Sequence, residues 1–208
     1  MKHLLTAIMM AALLTTGARA QASVGPDAAQ TTVKDFQSNM LGILKKTSGD
    51  SFDKRVDALC PLLTDTMDVK LQSAMAVGRA AWNGWTDQQR QTYMDKYRHY
   101  LCAIYASRFQ SFTGESLVVT GSRPGPAGAV IVNSEVRIPD EPSIPIDYVM
   151  REKADNTWKV ADLYLGGQIS EVALRRSEFA NVLRTRGFDG LIDAIEKRTA
   201  AQGQTPAP

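Results

Sequence analysis

The stretch GAVIVNSEVRIPDEPSIPIDYVMREKADNTWKVADLYL, residues 128–165, decides the fold. In its first third Val130, Val132, Val136 and Ile138 alternate with Ile131, Asn133, Glu135 and Arg137. After Pro139-Asp140-Glu141-Pro142, a second run places Ile144, Ile146, Tyr148 and Met150 in alternation with Asp147 and Arg151. After Asp155-Asn156, Thr157–Leu165 forms a third. A period of two marks strands, and the short polar breaks between them mark hairpins. With Leu117–Gly121 ahead of them, these runs read as a four-stranded antiparallel meander with one apolar face.

Working outward, the period lengthens on both sides. Toward the N-terminus, Val33, Phe36, Met40, Ile43 and Leu44 share one helical face, and Gly49-Asp50 interrupts it. Phe52, Val56, Leu59, Cys60 and Leu63 mark a second helix. Met67, Leu71 and Met75 mark a third that stops at Gly78. Trp82-Asn83-Gly84-Trp85 reads as a turn. Thr86 and Gln89 fit a capping box, and Tyr93, Tyr97, Leu101, Ile104, Tyr105 and Phe109 line one side of the long helix that follows. Toward the C-terminus, Ile169, Val172, Phe179 and Leu183 share a face. Gly187 is a good C-cap, and Phe188, Leu191, Ile192 and Ile195 form a last helix. Helices, sheet, then helices again predict an α+β domain with about six helices wrapped on one meander.

The chain has 208 residues, and its only long apolar run is Leu4–Leu14. Eleven residues are too few for a membrane-spanning helix, which needs roughly 20. Lys2 and His3 ahead of the run, and Ala18-Arg19-Ala20 behind it, give the layout of a signal peptide cleaved before Gln21. The expected organisation is a signal peptide over 1–20, one domain over 21–199 and a disordered tail over 200–208. Removing Lys2 and Arg19 from the 24 basic residues leaves 22 against 22 acidic ones. A near-zero net charge gives no support to a nucleic-acid partner. Export would permit a disulfide between Cys60 and Cys102. Both lie on or near apolar helix faces, so a bridge and a pair of buried thiols are both compatible with the spacing.

Catalytic and cofactor motifs are missing. There is no G-x-S-x-G, H-E-x-x-H, Walker loop or G-x-G-x-x-G. His99 is the single histidine after the leader, and the sequence shows no carboxylate cluster for a metal. Asp162 is an acid among apolar strand neighbours. It fits either a structural hydrogen-bonding role or, paired with Tyr148 or Tyr164, proton transfer in a cone-shaped enzyme. Arg175, Arg176, Arg184 and Arg186 make the late helix basic. That pattern fits a solvated face, or a surface for an anionic headgroup or a protein partner.

Several of these segments, in this order, resemble the MlaC family, also known as toluene-tolerance auxiliary proteins. They are Thr86-Asp-Gln-Gln-Arg90, Tyr105-Ala-Ser-Arg-Phe109, Phe112-Thr-Gly-Glu115, Trp158-Lys-Val-Ala-Asp162-Leu, Gly166-Gly-Gln-Ile-Ser170, Arg176-Ser-Glu-Phe179 and Gly187-Phe-Asp-Gly-Leu191-Ile. The resemblance runs from about Val33 to Lys197, and the Ala-Ser-Arg-Phe and Arg-Arg-Ser-Glu-Phe forms lean toward its hopanoid-associated HpnM branch. Asp65-Thr-Met-Asp-Val69 departs from the usual family pattern, and the two cysteines are not general family features. The resemblance implies a periplasmic carrier that serves outer-membrane lipid asymmetry. It would pass phospholipid, or a hopanoid-type lipid, between an inner-membrane ABC transporter complex and an outer-membrane lipoprotein complex. It implies no cofactor and no catalysis. The residues expected to line such a cavity are Tyr97, Leu101 and Ile104 on the long helix and Val130, Val132, Val136, Ile146, Tyr148 and Val160 on the sheet. The same side chains would serve equally well to fill a solid core, and a purely protein-binding adaptor would carry no cavity.

Overall fold

In the computed structural model, which describes residues 24–110 and 112–204, five helices precede an antiparallel sheet and one long helix follows it. The helices are α1 (Val24–Thr47), α2 (Phe52–Thr66), α3 (Val69–Val77), α4 (Arg79–Gly84) and α5 (Asp87–Arg108). The strands are β1 (Ser116–Pro124), β2 (Val130–Arg137), β3 (Ile144–Glu152), β4 (Trp158–Leu165) and β5 (Ile169–Ser170), followed by α6 (Glu171–Gln202). The α+β class and the meander are as the alternation predicts. The signal peptide expected over 1–20 lies outside the described residues, as do residues 205–208.

Three details differ from the sequence reading. The sheet has five strands, in the order β1-β2-β3-β4-β5, all neighbours antiparallel. The extra one is β5. Gly166 and Gly167, at φ of 61° and 68°, fold the chain back so that Ser170 and Ile169 pair with Tyr164 and Leu165. Two residues are too few to display a period of two, so Ile169 looked like part of the helix after it. The Trp82–Trp85 segment is not a simple turn, because α4 occupies Arg79–Gly84. Finally, α6 continues to Gln202, into the segment expected to be a disordered tail. Tertiary packing orders that end: a side chain on Gly203 would meet the Phe52 ring at 2.9 Å. Gly187 interrupts α6 with φ 64° and ψ −161°, so the two C-terminal helices of the sequence reading meet there.

Three hydrophobic clusters form among the described residues: a small one on the outer face of the sheet, from Ala129, Ile131, Val149 and Ala161, and two larger ones that meet α5. In the first of the larger two, Ala29, Val33, Phe36, Met40 and Leu44, spaced along one face of α1, pack on the inner face of the sheet, which carries Val130, Val132, Val136, Tyr148 and Val160. Cys102, Tyr105 and Ala106 of α5 belong to the same cluster. In the second, Tyr93, Tyr97, Tyr100 and Ile104 of α5 pack with Phe179, Leu191 and Ile195 of α6. Trp85 meets Tyr93 and Phe188 edge-on at 5.1 and 5.0 Å, an arrangement that adds to area burial. The α5 helix therefore contributes to both clusters, and its N-terminus carries the capping box between Thr86 and Gln89.

Three polar devices fix this arrangement. A disulfide joins Cys60 of α2 to Cys102 of α5, with the Cα atoms 5.1 Å apart. The open edge of β4 is covered by the α2–α3 junction. The backbone N–H of Asp68 and the Gln72 side chain donate to the Val160 carbonyl at 2.9 and 2.8 Å. Covering an edge in this way removes a pairing surface that would otherwise invite another chain. Asp162 ties β4 to the start of α6. Its Oδ1 accepts from the Leu163 and Val172 amides at 2.8 and 3.1 Å, and its Oδ2 accepts from Ser170 Oγ at 2.5 Å. Ser170 in turn caps the helix by accepting from the Ala173 amide at 2.9 Å. Burial pushes the Asp162 carboxyl above the usual range, and the hydrogen bonds from Ser170, Val172 and Leu163 pull against that shift.

Two stability measurements follow from these ties. The disulfide closes a loop spanning 42 positions of sequence separation. The chain-entropy model then gives about 4 kcal/mol, so chemical reduction is expected to lower the unfolding free energy in urea by roughly that amount. Substituting Asp162→Ala strands buried amides and the Ser170 cap. It is expected to cost about 2–3 kcal/mol in the same assay, whereas a loss under 0.5 kcal/mol, about the size of an unremarkable surface change, would remove Asp162 from this role.

Candidate functional site

The two larger clusters do not merge. Where they meet, a cavity of about 30 Å³ is enclosed by α5, the Met67 junction, the end of β4 and the first turns of α6. Its walls include Tyr97, Leu101, Ile104 and Tyr105 from α5, Leu163 from β4, and Glu171, Val172 and Arg175 from α6. A second cavity of about 90 Å³ lies between α1 and the inner face of the sheet. Phe36, Met40, Phe109, Leu117, Ile146, Tyr148 and Leu165 are among its walls. Tyr105, Arg108 and Leu163 line both spaces and so form the partition between them. The second cavity is almost wholly apolar. The first mixes apolar side chains with Gln72, Arg108, Asp162, Glu171 and Arg175.

The cavity residues expected from sequence divide into two groups. Tyr97, Leu101 and Ile104 line the first cavity, and Ile146 and Tyr148 line the second. Val130, Val132, Val136 and Val160 are buried in the first hydrophobic cluster and line neither space. The reason is geometric. Alternation identifies the inner face of a strand, but α1 lies across the part of that face carried by β2 and fills it over Val130, Val132 and Val136, while Val160 of β4 is covered where Met67 and Asp68 pair with it. The residues missed by the sequence reading are those on the partition and on α6, chiefly Tyr105, Arg108, Leu163 and Glu171. Arg108 was visible as part of the Ala-Ser-Arg-Phe segment and Arg175 as part of a basic helix. Nothing in the linear pattern joined them.

The electrostatics of the walls follow from burial. Desolvation raises the phenols of Tyr97, Tyr105 and Tyr148 above the ordinary value, so all three stay neutral in water at any ordinary pH. The Tyr148 hydroxyl accepts from Gln37 Nε2 at 3.5 Å. Burial disfavours the Arg175 charge, but Tyr100, Glu178 and Glu171 outweigh it and hold the guanidinium protonated. Of the pairs considered from sequence, Asp162 with Tyr148 or Tyr164, the structure puts Asp162 on the first cavity and Tyr148 on the second. Both oxygens of Asp162 are engaged at the start of α6, and Tyr164 packs on the outer face of the sheet beside Ala129, Ile131, Val149 and Ala161. Among the described residues no group of three or more His, Cys, Asp or Glu is arranged to hold a metal ion, and no helix is long and apolar enough to cross a membrane.

The arrangement is a partitioned apolar space between a sheet and helices, with a charged wall on one side. Comparison with known proteins places it. The chain is similar to a phospholipid-binding protein from Ralstonia solanacearum whose structure was solved in complex with a phospholipid. The two share 25% sequence identity with a TM-score of 0.74, over 84% of this chain and 98% of that one. The model of the MlaC protein family matches residues 34–197. The match covers the second cluster, the partition, the charged wall and all of the first cluster after Val33, and this chain belongs to the MlaC family.

Proposed function

We propose that this protein is a periplasmic phospholipid carrier. The observation that carries the reading is the pair of cavities meeting at Tyr105, Arg108 and Leu163, in the interior of a fold shared with a phospholipid-bound relative. At about 30 and 90 Å³ the two spaces are far below the roughly 300–1,000 Å³ of an occupied ligand site. Loading therefore requires the partition to move, so that the acyl chains lie along the α1–sheet seam and the headgroup stays near the charged wall. The same protein would deliver its cargo between an inner-membrane ABC transporter complex and an outer-membrane lipoprotein complex, without chemical change to the lipid.

Energetics favour a shielding role over tight capture. About 30 methylenes leaving water gain roughly 24 kcal/mol at ~0.8 kcal/mol each. That exceeds the practical limit of non-covalent affinity, near 18–21 kcal/mol. The working reference is a bilayer, where the chains are already dry. Transfer from bilayer to protein is then close to neutral, and docking partners set direction.

Mass spectrometry of an organic extract from the purified exported protein, beside an unrelated exported control, tests the cargo. The expected result is phospholipid at near-stoichiometric amounts. Hopanoid at that level would replace phospholipid as the cargo, and bare protein that takes up nothing from labelled vesicles would contradict a carrier. Leu163→Trp, which fills the partition from the sheet side, is expected to lower vesicle uptake at least tenfold. Its overpacking cost should be about 1–3 kcal/mol in urea unfolding.

A further inference from the structure

In the first cavity the α5–α6 wall concentrates charge, with Gln72 and Asp162 elsewhere in the lining. Arg108 Nη2 donates to both oxygens of Glu171, at 3.0 and 3.3 Å. Arg175 Nη2 donates to the same carboxylate at 3.1 Å, and its Nη1 donates to both oxygens of Glu178, at 3.1 Å each. The Arg175 guanidinium also lies 5.3 Å above the Tyr100 ring. Side-chain exposure rises along the series, from 9% at Arg175 through 18% at Glu171 to 39% at Arg108. The cluster thus leads from the cavity wall outward, and Arg108 lines both spaces.

Stability alone gives little reason for such a cluster. A buried ion pair loses solvation that its Coulomb attraction repays incompletely, and apolar repacking of such sites is often neutral or better. Two guanidinium groups sharing one carboxylate do have a chemical meaning, however. A phosphodiester, like a carboxylate, presents two anionic oxygens to the planar donor fork of arginine.

We propose that Arg108 and Arg175 bind the phosphodiester of the cargo's headgroup, and that Glu171 is the resident anion whose place the phosphate takes. The inference rests on the carrier reading of the preceding subsection and adds to it a recognition site and a release device. Loading exchanges one anion for another on the same donors, with the displaced Glu171 carboxylate turning out to water, so each arginine keeps an anionic partner. The phosphate is selected without being clamped, because Glu171 returns to the arginines as the lipid leaves. Glu171 sits in the first turn of α6, where the helix dipole favours an anion.

The test is a titration of delipidated protein with a fluorescent-tailed phosphatidylglycerol and with the diacylglycerol of the same tails. In the wild type the phospholipid is expected to bind more tightly. Arg108→Gln should lower the ratio of the two affinities about tenfold, the scale of one charge-assisted contact, with Arg108→Lys intermediate. Glu171→Gln, which keeps the shape and removes the competing charge, should raise the ratio several-fold and slow phospholipid release. Thermal unfolding by circular dichroism confirms that each variant folds. Parallel changes for both lipids, or an unchanged ratio, would make the cluster structural and overturn the proposal. Competition by glycerophosphoglycerol at the lipid's own concentration would show a site for free anions and overturn it as well. A wild type that binds neither lipid would instead remove the carrier reading beneath it.

Discussion

A single helix, α5, is obliged to pack against two cores at once. Cys102, Tyr105 and Ala106 belong to the sheet cluster, while Tyr93, Tyr97, Tyr100 and Ile104 belong to the α6 cluster. Protein interiors close to near-crystalline density when facing surfaces complement each other. Here the two clusters stop short of each other along the line from Tyr97 to Arg108, and the cavities lie on that line. The rigid parts keep it from collapsing. The disulfide anchors α5 to α2, the Val160 carbonyl anchors the α2–α3 junction to β4, and Asp162 anchors α6 to the end of the same strand. Each tie lies beside the seam, so the frame around it is fixed while the partition itself is made only of side chains.

That division of labour suits a protein that takes up and gives back a large apolar ligand. Moving Tyr105 and Leu163 requires rotamer changes and a small separation of elements, with no backbone hydrogen bond broken in the sheet. The polar wall adds discrimination without depth, because its arginines are already satisfied by Glu171 and Glu178. The neutral, desolvated phenols around it keep the remaining surface compatible with hydrocarbon.

Much of the frame was legible in the sequence. The alternation over 130–165 located β2, β3 and β4, the Ala29-to-Leu44 face of α1 was nearly complete in its apolar spacing, and the capping box at Thr86 fixed the start of α5. Period-based reading failed where elements were too short, as in β5 and α4, and where tertiary contact supplied the order, as at Gly203 on Phe52. The cavity was legible only in part. An inward-facing residue lines a space or fills a core according to what lies opposite, and the sequence holds no record of that for Val130, Val132, Val136 and Val160. Asp162 shows the same limit from the other side. An acid among apolar neighbours fits a structural role or proton transfer alike, and only the structure shows the amides of Leu163 and Val172 that it accepts from.

The central claim is that the seam held by α5 opens around Tyr105 and Leu163 to enclose acyl chains. A crystal structure of the protein loaded with a phospholipid tests it most directly. The account predicts hydrocarbon density running through the partition, with the two cavities joined into one and the Cys60–Cys102 and Asp162 ties unchanged. Lipid bound on the outer face of the sheet, with Tyr105 and Leu163 still lining two separate cavities, would contradict it.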